Sequence, residues 1–111
     1  CRVLVVNKMD IDPGHLPALL EELREAFGPE CLPINLPAGK GTRVVDCFFN
    51  PEGDSDLGPV AEAHQRIVDQ VVEINEQVME RYLEDGEEGL SGQALHDAFE
   101  QCLREGHLVP V

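Results

Sequence analysis

Val3-Leu4-Val5-Val6 is an apolar run without alternation. A run of that kind fits a short strand buried on both faces, as in a parallel sheet. Asn7 to Asp10 follow it at once, and Asp12 and Pro13 make a helix start, with Asp as cap and Pro at the first helical position. Leu16, Leu19, Leu20, Leu23 and Phe27 recur at helical spacing and predict one inward face, closed by Gly28-Pro29. The stretch Leu32 to Leu36 is interrupted by Pro33 and closed by Pro37, so it reads as an edge strand. Arg43 to Phe49 alternates, with Val45, Cys47 and Phe49 on one side, and the turn Gly39 to Gly41 joins the two as a hairpin.

Asn50 to Gly58 reads as a loop, being rich in Gly, Pro, Asp and Ser. A single long helix is expected from about Pro59 to Leu83. Val60, Ile67, Val71, Ile74, Val78 and Tyr82 make one apolar row there, and Val68, Val72, Met79 and Leu83 a second. His64 and Asn75 fall on its apolar face and are expected to be satisfied core or boundary residues. An acidic turn at Asp85 to Gly89 precedes a last helix, Ser91 to Glu105, with Leu95, Phe99, Cys102 and Leu103 inward and Gly106 as its stop. Leu108 to Val111 predicts a closing strand. The order is strand, helix, hairpin, two helices, strand, an α/β arrangement. Both ends fall within apolar runs, as if cut from strands of a larger sheet.

Composition narrows the function classes. Among 111 residues, 22 are acidic and 8 basic, a formal net charge of −14. That balance argues against direct nucleic-acid binding, whose main attraction to phosphates needs Lys and Arg. It leaves room for a basic protein partner. Cys1, Cys31, Cys47 and Cys102 form no CxxC pair and have no His at ligand spacing, so they read as small apolar residues of a reduced compartment. No metal site is expected. No apolar run reaches the ~18 residues of a membrane span, and no signal peptide is present, so the default placement is cytoplasmic, with no membrane partner.

Asn7-Lys8-Met9-Asp10 matches N-K-x-D. Three fixed residues recur by chance in roughly one chain in a hundred of this size, but here the motif ends a strand that reads as parallel, where open α/β sheets bind ligands. An ionised Asp accepts only, through two oxygens. Asp10 suits the N1–H and N2 amino donors of guanine, and adenine offers no such pair. Asn7 would tie the loop down and face the O6 and N7 side of the base, and the stem of Lys8 would lie over its plane. The bland alternative is a polar strand-to-helix turn. Gly39-Lys40-Gly41-Thr42 lacks the spacing of a phosphate loop, G-x-x-x-x-G-K-[ST], and no D-x-x-G occurs in the chain. The machinery for phosphates and Mg²⁺ is therefore absent from it, and no catalytic residue is assigned.

With the motif in place, the remaining pieces line up. They are Leu36-Pro37-Ala38-Gly39, Val44-Val45-Asp46, Met79-Glu80-Arg81-Tyr82-Leu83-Glu84 and Gly106-His107-Leu108-Val109-Pro110-Val111. Their order resembles elongation factor G, a family of translational GTPases, over essentially the whole chain. The resemblance implies a partial P-loop GTPase sheet of two parallel strands with an inserted hairpin-plus-helices subdomain. Residues 1–30 would carry the guanine motif, 31–105 the insertion and 106–111 the returning strand. It implies GTP or GDP as ligand of the parent protein, with Mg²⁺ held by parts outside this chain. It implies the ribosome as partner, and the stalk protein for the inserted subdomain. Ile11 stands where the family usually has Arg, Arg43 stands where it has Gly, and the stretch before the long helix is short. These departures suit a divergent elongation factor G-like paralogue.

Glu73, Glu76, Glu80, Glu84, Glu87 and Glu88 form an acidic flank, read either as a solvated helix face or as a docking face for a basic partner. His15, His96 and His107 are expected at the surface. A second class of function stays open: a free-standing acidic helical module that binds a protein and carries N-K-x-D by chance. The apolar run Val3 to Val6, short of one neighbour, also predicts an edge-strand homodimer of the fragment.

Overall fold

The structure is a computed structural model that describes residues 1–111. It is mixed α/β. A 3-10 turn, Pro13–His15, leads into α1 (Leu16–Phe27). Asp12 stands at the cap position but its side chain makes no capping bond. Gly28, at φ 110°, ends the helix in a conformation that favours glycine. Leu16 is buried and Leu19, Leu20 and Leu23 are half-buried, whereas Phe27, at the last turn, is 48 % exposed.

The expected parallel pair is present, with a different first strand. β1 (Cys31–Leu32) pairs parallel with β6 (Val109–Pro110), Cys31 opposite Val109, and both strands are buried. Pro33 then breaks the line, so Cys31–Leu36 is not one strand. β2 (Asn35–Ala38) starts afresh and pairs antiparallel with β3 (Arg43–Asp46), Leu36 opposite Val45. Pro37 is tolerated because its polar atoms face away from β3: its carbonyl accepts the Asp56 N–H at 2.8 Å, so its missing N–H costs no ladder bond.

Residues 3–6 do not form a buried strand. Only the Leu4 N–H is paired, with the carbonyl of Pro110 at 2.9 Å. Proline has no N–H to return, so a ladder cannot continue there. Val3 is 61 % and Val5 84 % exposed. β3 is also shorter than the alternation suggests. The Asp46 carboxylate accepts the Phe49 N–H at 2.7 Å and turns the chain, so that Phe48 is buried and Phe49 exposed.

The segment read as a loop holds a small hairpin, β4 (Asp54–Ser55) with β5 (Gly58–Pro59). The expected long helix is two. α2 (Val60–Val72) stops, and α3 (Glu76–Asp85) begins behind Asn75, whose side chain accepts the N–H groups of Gln77 and Val78. In one continuous helix Gln65 and Tyr82 would stand about 25 Å apart. Here Gln65 donates to the Tyr82 hydroxyl, which donates to Asp69 at 3.1 Å. α3 therefore folds back on α2. A 3-10 turn, Glu87–Gly89, follows, then α4 (Gly92–Glu105), capped by the Ser91 hydroxyl on the Ala94 N–H and closed by Gly106 at φ 78°.

The main core lies between β1–β3, α2, α4 and β6 and includes Leu36, Cys47, Ile67, Val71, Cys102 and Leu108. Val68, Val72 and Leu90 make a smaller one under α3. Cys31, Cys47 and Cys102 are buried free thiols, as expected of small apolar residues, and Cys1 is exposed. No helix is long and apolar enough to cross a membrane. On the far side, residues 3–6, the apolar face of α1 and the β2–β3 hairpin enclose a cavity of about 250 Å³, with Val3, Leu4, Leu20 and Val44 among its lining residues.

Candidate functional site

Asn7, Lys8 and Asp10 lie on one exposed loop between residues 3–6 and the Pro13 turn. The loop is a tight turn: the Ile11 N–H donates to the Lys8 carbonyl at 3.2 Å. Lys8 adopts φ 58°, uncommon for a residue with a side chain. The Asn7 side-chain carbonyl accepts the N–H of its neighbour Lys8 at 2.8 Å, which leaves its amide NH₂ free. The Asp10 carboxylate is exposed and enters none of the chain's ion pairs. The turn thus presents one free carboxylate acceptor and one free amide donor.

The Gly39–Thr42 segment is the hairpin turn between β2 and β3. The Thr42 hydroxyl and N–H both donate to the Gly39 carbonyl, at 2.7 and 3.4 Å. This turn touches the motif. A β-carbon placed on Gly41 (φ 77°) would lie 2.5 Å from the Met9 carbonyl oxygen and 2.9 Å from the Asp10 nitrogen. The Gly41 N–H in turn donates to the Asp56 carboxylate at 2.8 Å. Gly41 and Asp56 escaped sequence reasoning. The pattern marks Gly41 only as a turn residue, and no local signal reports a contact about 30 positions back along the chain.

His64 is buried, as expected. Its Nδ1 donates to the Cys47 carbonyl at 2.8 Å, and Nε2 faces the Glu87 carboxylate at 2.9 Å. Glu87, itself exposed, ties the turn after α3 back to α2 through this contact. Glu73, Glu76, Glu80, Glu84 and Glu88 are exposed, as are His15, His96 and His107. Asn75 is a helix cap and not a position on an apolar face. His96, Asp97 and Glu100 gather within 4.8 Å on the exposed face of α4, where Gln93 donates to Asp97 at 2.7 Å and Arg104 pairs with Glu100.

No protein-family model matches the chain. Over 99 % of its length it is 26 % identical to part of elongation factor G from Fervidobacterium nodosum. Over 98 % it is 27 % identical to part of an elongation factor G-like protein from Thermotoga maritima, and over 99 % it is 26 % identical to part of one from Mycobacterium tuberculosis. A crystal structure of a Thermus thermophilus protein superposes on 99 % of the chain with a TM-score of 0.74 and 36 % identity. The chain spans 17 to 18 % of the length of these proteins. The F. nodosum match runs over 129 positions against 111 residues here, so that relative carries residues this chain lacks. The resemblance to elongation factor G, first read from the order of the motifs, thus holds along essentially the whole chain.

Proposed function

We propose that this chain is the guanine-recognition segment of a GTP-binding, elongation factor G-like translation factor, joined to a subdomain that docks on the ribosome. The observation that carries the reading is Asn7-Lys8-x-Asp10 on an exposed turn, with a free carboxylate and a free side-chain amide, inside a chain similar end to end to part of elongation factor G. Asp10 accepts the N1–H and N2 donors of guanine, Asn7 donates to the O6 and N7 side, and the stem of Lys8 covers the base. GTP or GDP is the ligand of the parent protein, with the phosphates and Mg²⁺ held by residues outside this chain. On this reading residues 1–30 and 106–111 belong to the GTPase part, which Cys31–Leu32 joins by pairing with β6, and the rest of 31–105 is the inserted unit. Its exposed glutamates, Glu76 and Glu80 among them, suit a basic partner such as a stalk protein. The setting is cytoplasmic.

The test is Asp10→Asn in the full-length protein. Xanthine carries a carbonyl where guanine carries the N2 amino group, and Asn supplies an amide donor to meet it. The substitution is expected to weaken GDP binding roughly tenfold or more and to favour xanthosine diphosphate, the range for hydrogen bonds to charged groups. An unchanged base preference in competition binding refutes the assignment.

A further inference from the structure

The guanine motif has little regular structure of its own to hold it. One backbone bond closes the turn, and one, from the Leu4 N–H, holds residues 3–6 before it. What stands behind the Met9–Asp10 peptide is the hairpin turn of the inserted unit. Gly41 approaches so closely that a β-carbon would fall 2.5 Å from the Met9 oxygen, 2.7 Å from its carbonyl carbon and 2.9 Å from the Asp10 nitrogen. These are backbone atoms, which cannot swing aside as the end of a side chain does. The two non-glycine residues of the chain at positive φ are Lys8 and Lys40, one in each of the two touching turns. Such conformations persist where the surroundings over-determine them. Gly41 is itself fixed from the other side by its N–H on the Asp56 carboxylate, and the Asp56 N–H is fixed on Pro37.

We infer that Gly41, held by Asp56, is a positioning residue for base recognition: the β2–β3 turn backs the Met9–Asp10 peptide and sets where the Asp10 carboxylate points. Neither residue touches the base. This rests on the guanine reading of Asn7, Lys8 and Asp10 and adds to it a specificity device supplied from the inserted unit. Any movement of β2–β3 or of the β4–β5 turn reaches the base-binding loop through this contact.

The test reads base discrimination, because a general loss of structure weakens all nucleotides alike. Inosine lacks the N2 amino group, so the GDP-to-IDP affinity ratio reports how well the carboxylate is placed. In the full-length protein Gly41→Ala is expected to lower that ratio roughly tenfold, the worth of one misplaced hydrogen bond to a charged group. Asp56→Ala, which leaves the glycine in place and guards against misfolding of the first variant, is expected to give part of that loss. Asp56→Asn keeps an acceptor for the Gly41 N–H and is expected to restore the ratio. A ratio unchanged in Gly41→Ala and Asp56→Ala, while Asp10→Asn collapses it, overturns the positioning role and leaves the guanine reading standing. A ratio that none of the variants moves, Asp10→Asn included, overturns both.

Discussion

Asn75 decides whether α2 and α3 are one helix or two, and replacing it by alanine puts a number on that decision. Its side chain accepts the N–H of Gln77 at 3.0 Å and of Val78 at 3.3 Å, and its carbonyl accepts the Met79 N–H at 2.9 Å. Alanine keeps the last bond and loses the first two. Removing a cap of this kind costs about 1 kcal/mol. For a chain of this size that lowers Tm by roughly 5 °C. Asn75→Gly, which leaves the N–H groups open to water, should cost only about a few tenths of a kcal/mol. Urea unfolding followed by circular dichroism is the assay, with the slope m unchanged if the fold is unchanged. The opposite outcome is equally clear. If Asn75→Ala is as stable as the native chain and gains helical signal, helix runs through residues 73–75. Tyr82 then cannot reach Gln65 and Asp69, and the fold-back of α3 is wrong.

Two further outcomes are expected. Burial, with Asp46 adding to it, pushes the Cys47 thiol from its ordinary value of 9.0 up to about 11, and burial raises Cys31 and Cys102 as well. The unfolded chain therefore releases these protons first, so stability measured by urea titration should fall as pH rises from about 9 towards 11; a midpoint that does not fall over that window contradicts the burial. The second concerns residues 3–6, where the N–H groups of Val3 and Val5 have no partner and both side chains are exposed. Light scattering of the isolated chain should show a dimer that Val5→Lys abolishes; a monomer at high concentration removes the edge-pairing reading.

Much of the fold was legible because local chemistry and tertiary packing agree. The apolar spacing of α1 and α4, the Ser91 cap and the Gly106 stop all act within a few residues, and the β2–β3 hairpin declares itself by its glycine turn. The misreadings occur where a distant group outvotes a clean local pattern. Across Val72 to Val78 the apolar rows continue without a Gly or Pro, and the break rests on the Asn75 cap together with the tertiary gain of folding Val78, Met79 and Tyr82 onto Val68, Val72 and Leu90. Val3 to Val6 look like a core strand, but β6 meets them with a proline. Leu32 to Leu36 reads as one edge strand, yet past Pro33 the chain changes partner: Cys31–Leu32 joins β6 and Asn35–Ala38 joins β3.

The candidate site divides along the same line. Asn7, Lys8 and Asp10 could be named as candidates from the sequence because the chemistry proposed for them is carried by residue type and spacing within one short motif. Their geometry was not, because it is set by residues far downstream, at Gly41 and Asp56. The turn that fails as a phosphate loop is the wall behind the Met9–Asp10 peptide, and the acidic Asp56, one of 22 acidic residues, is what that wall leans on. The contact needs no side chain at position 41. A glycine is required there less for its own positive φ, which the turn alone would explain, than for the backbone facing its missing β-carbon. On the proposed reading, base recognition and the inserted unit are for this reason not separable parts: a change confined to the hairpin has a direct mechanical route, through Gly41, to the Met9–Asp10 peptide.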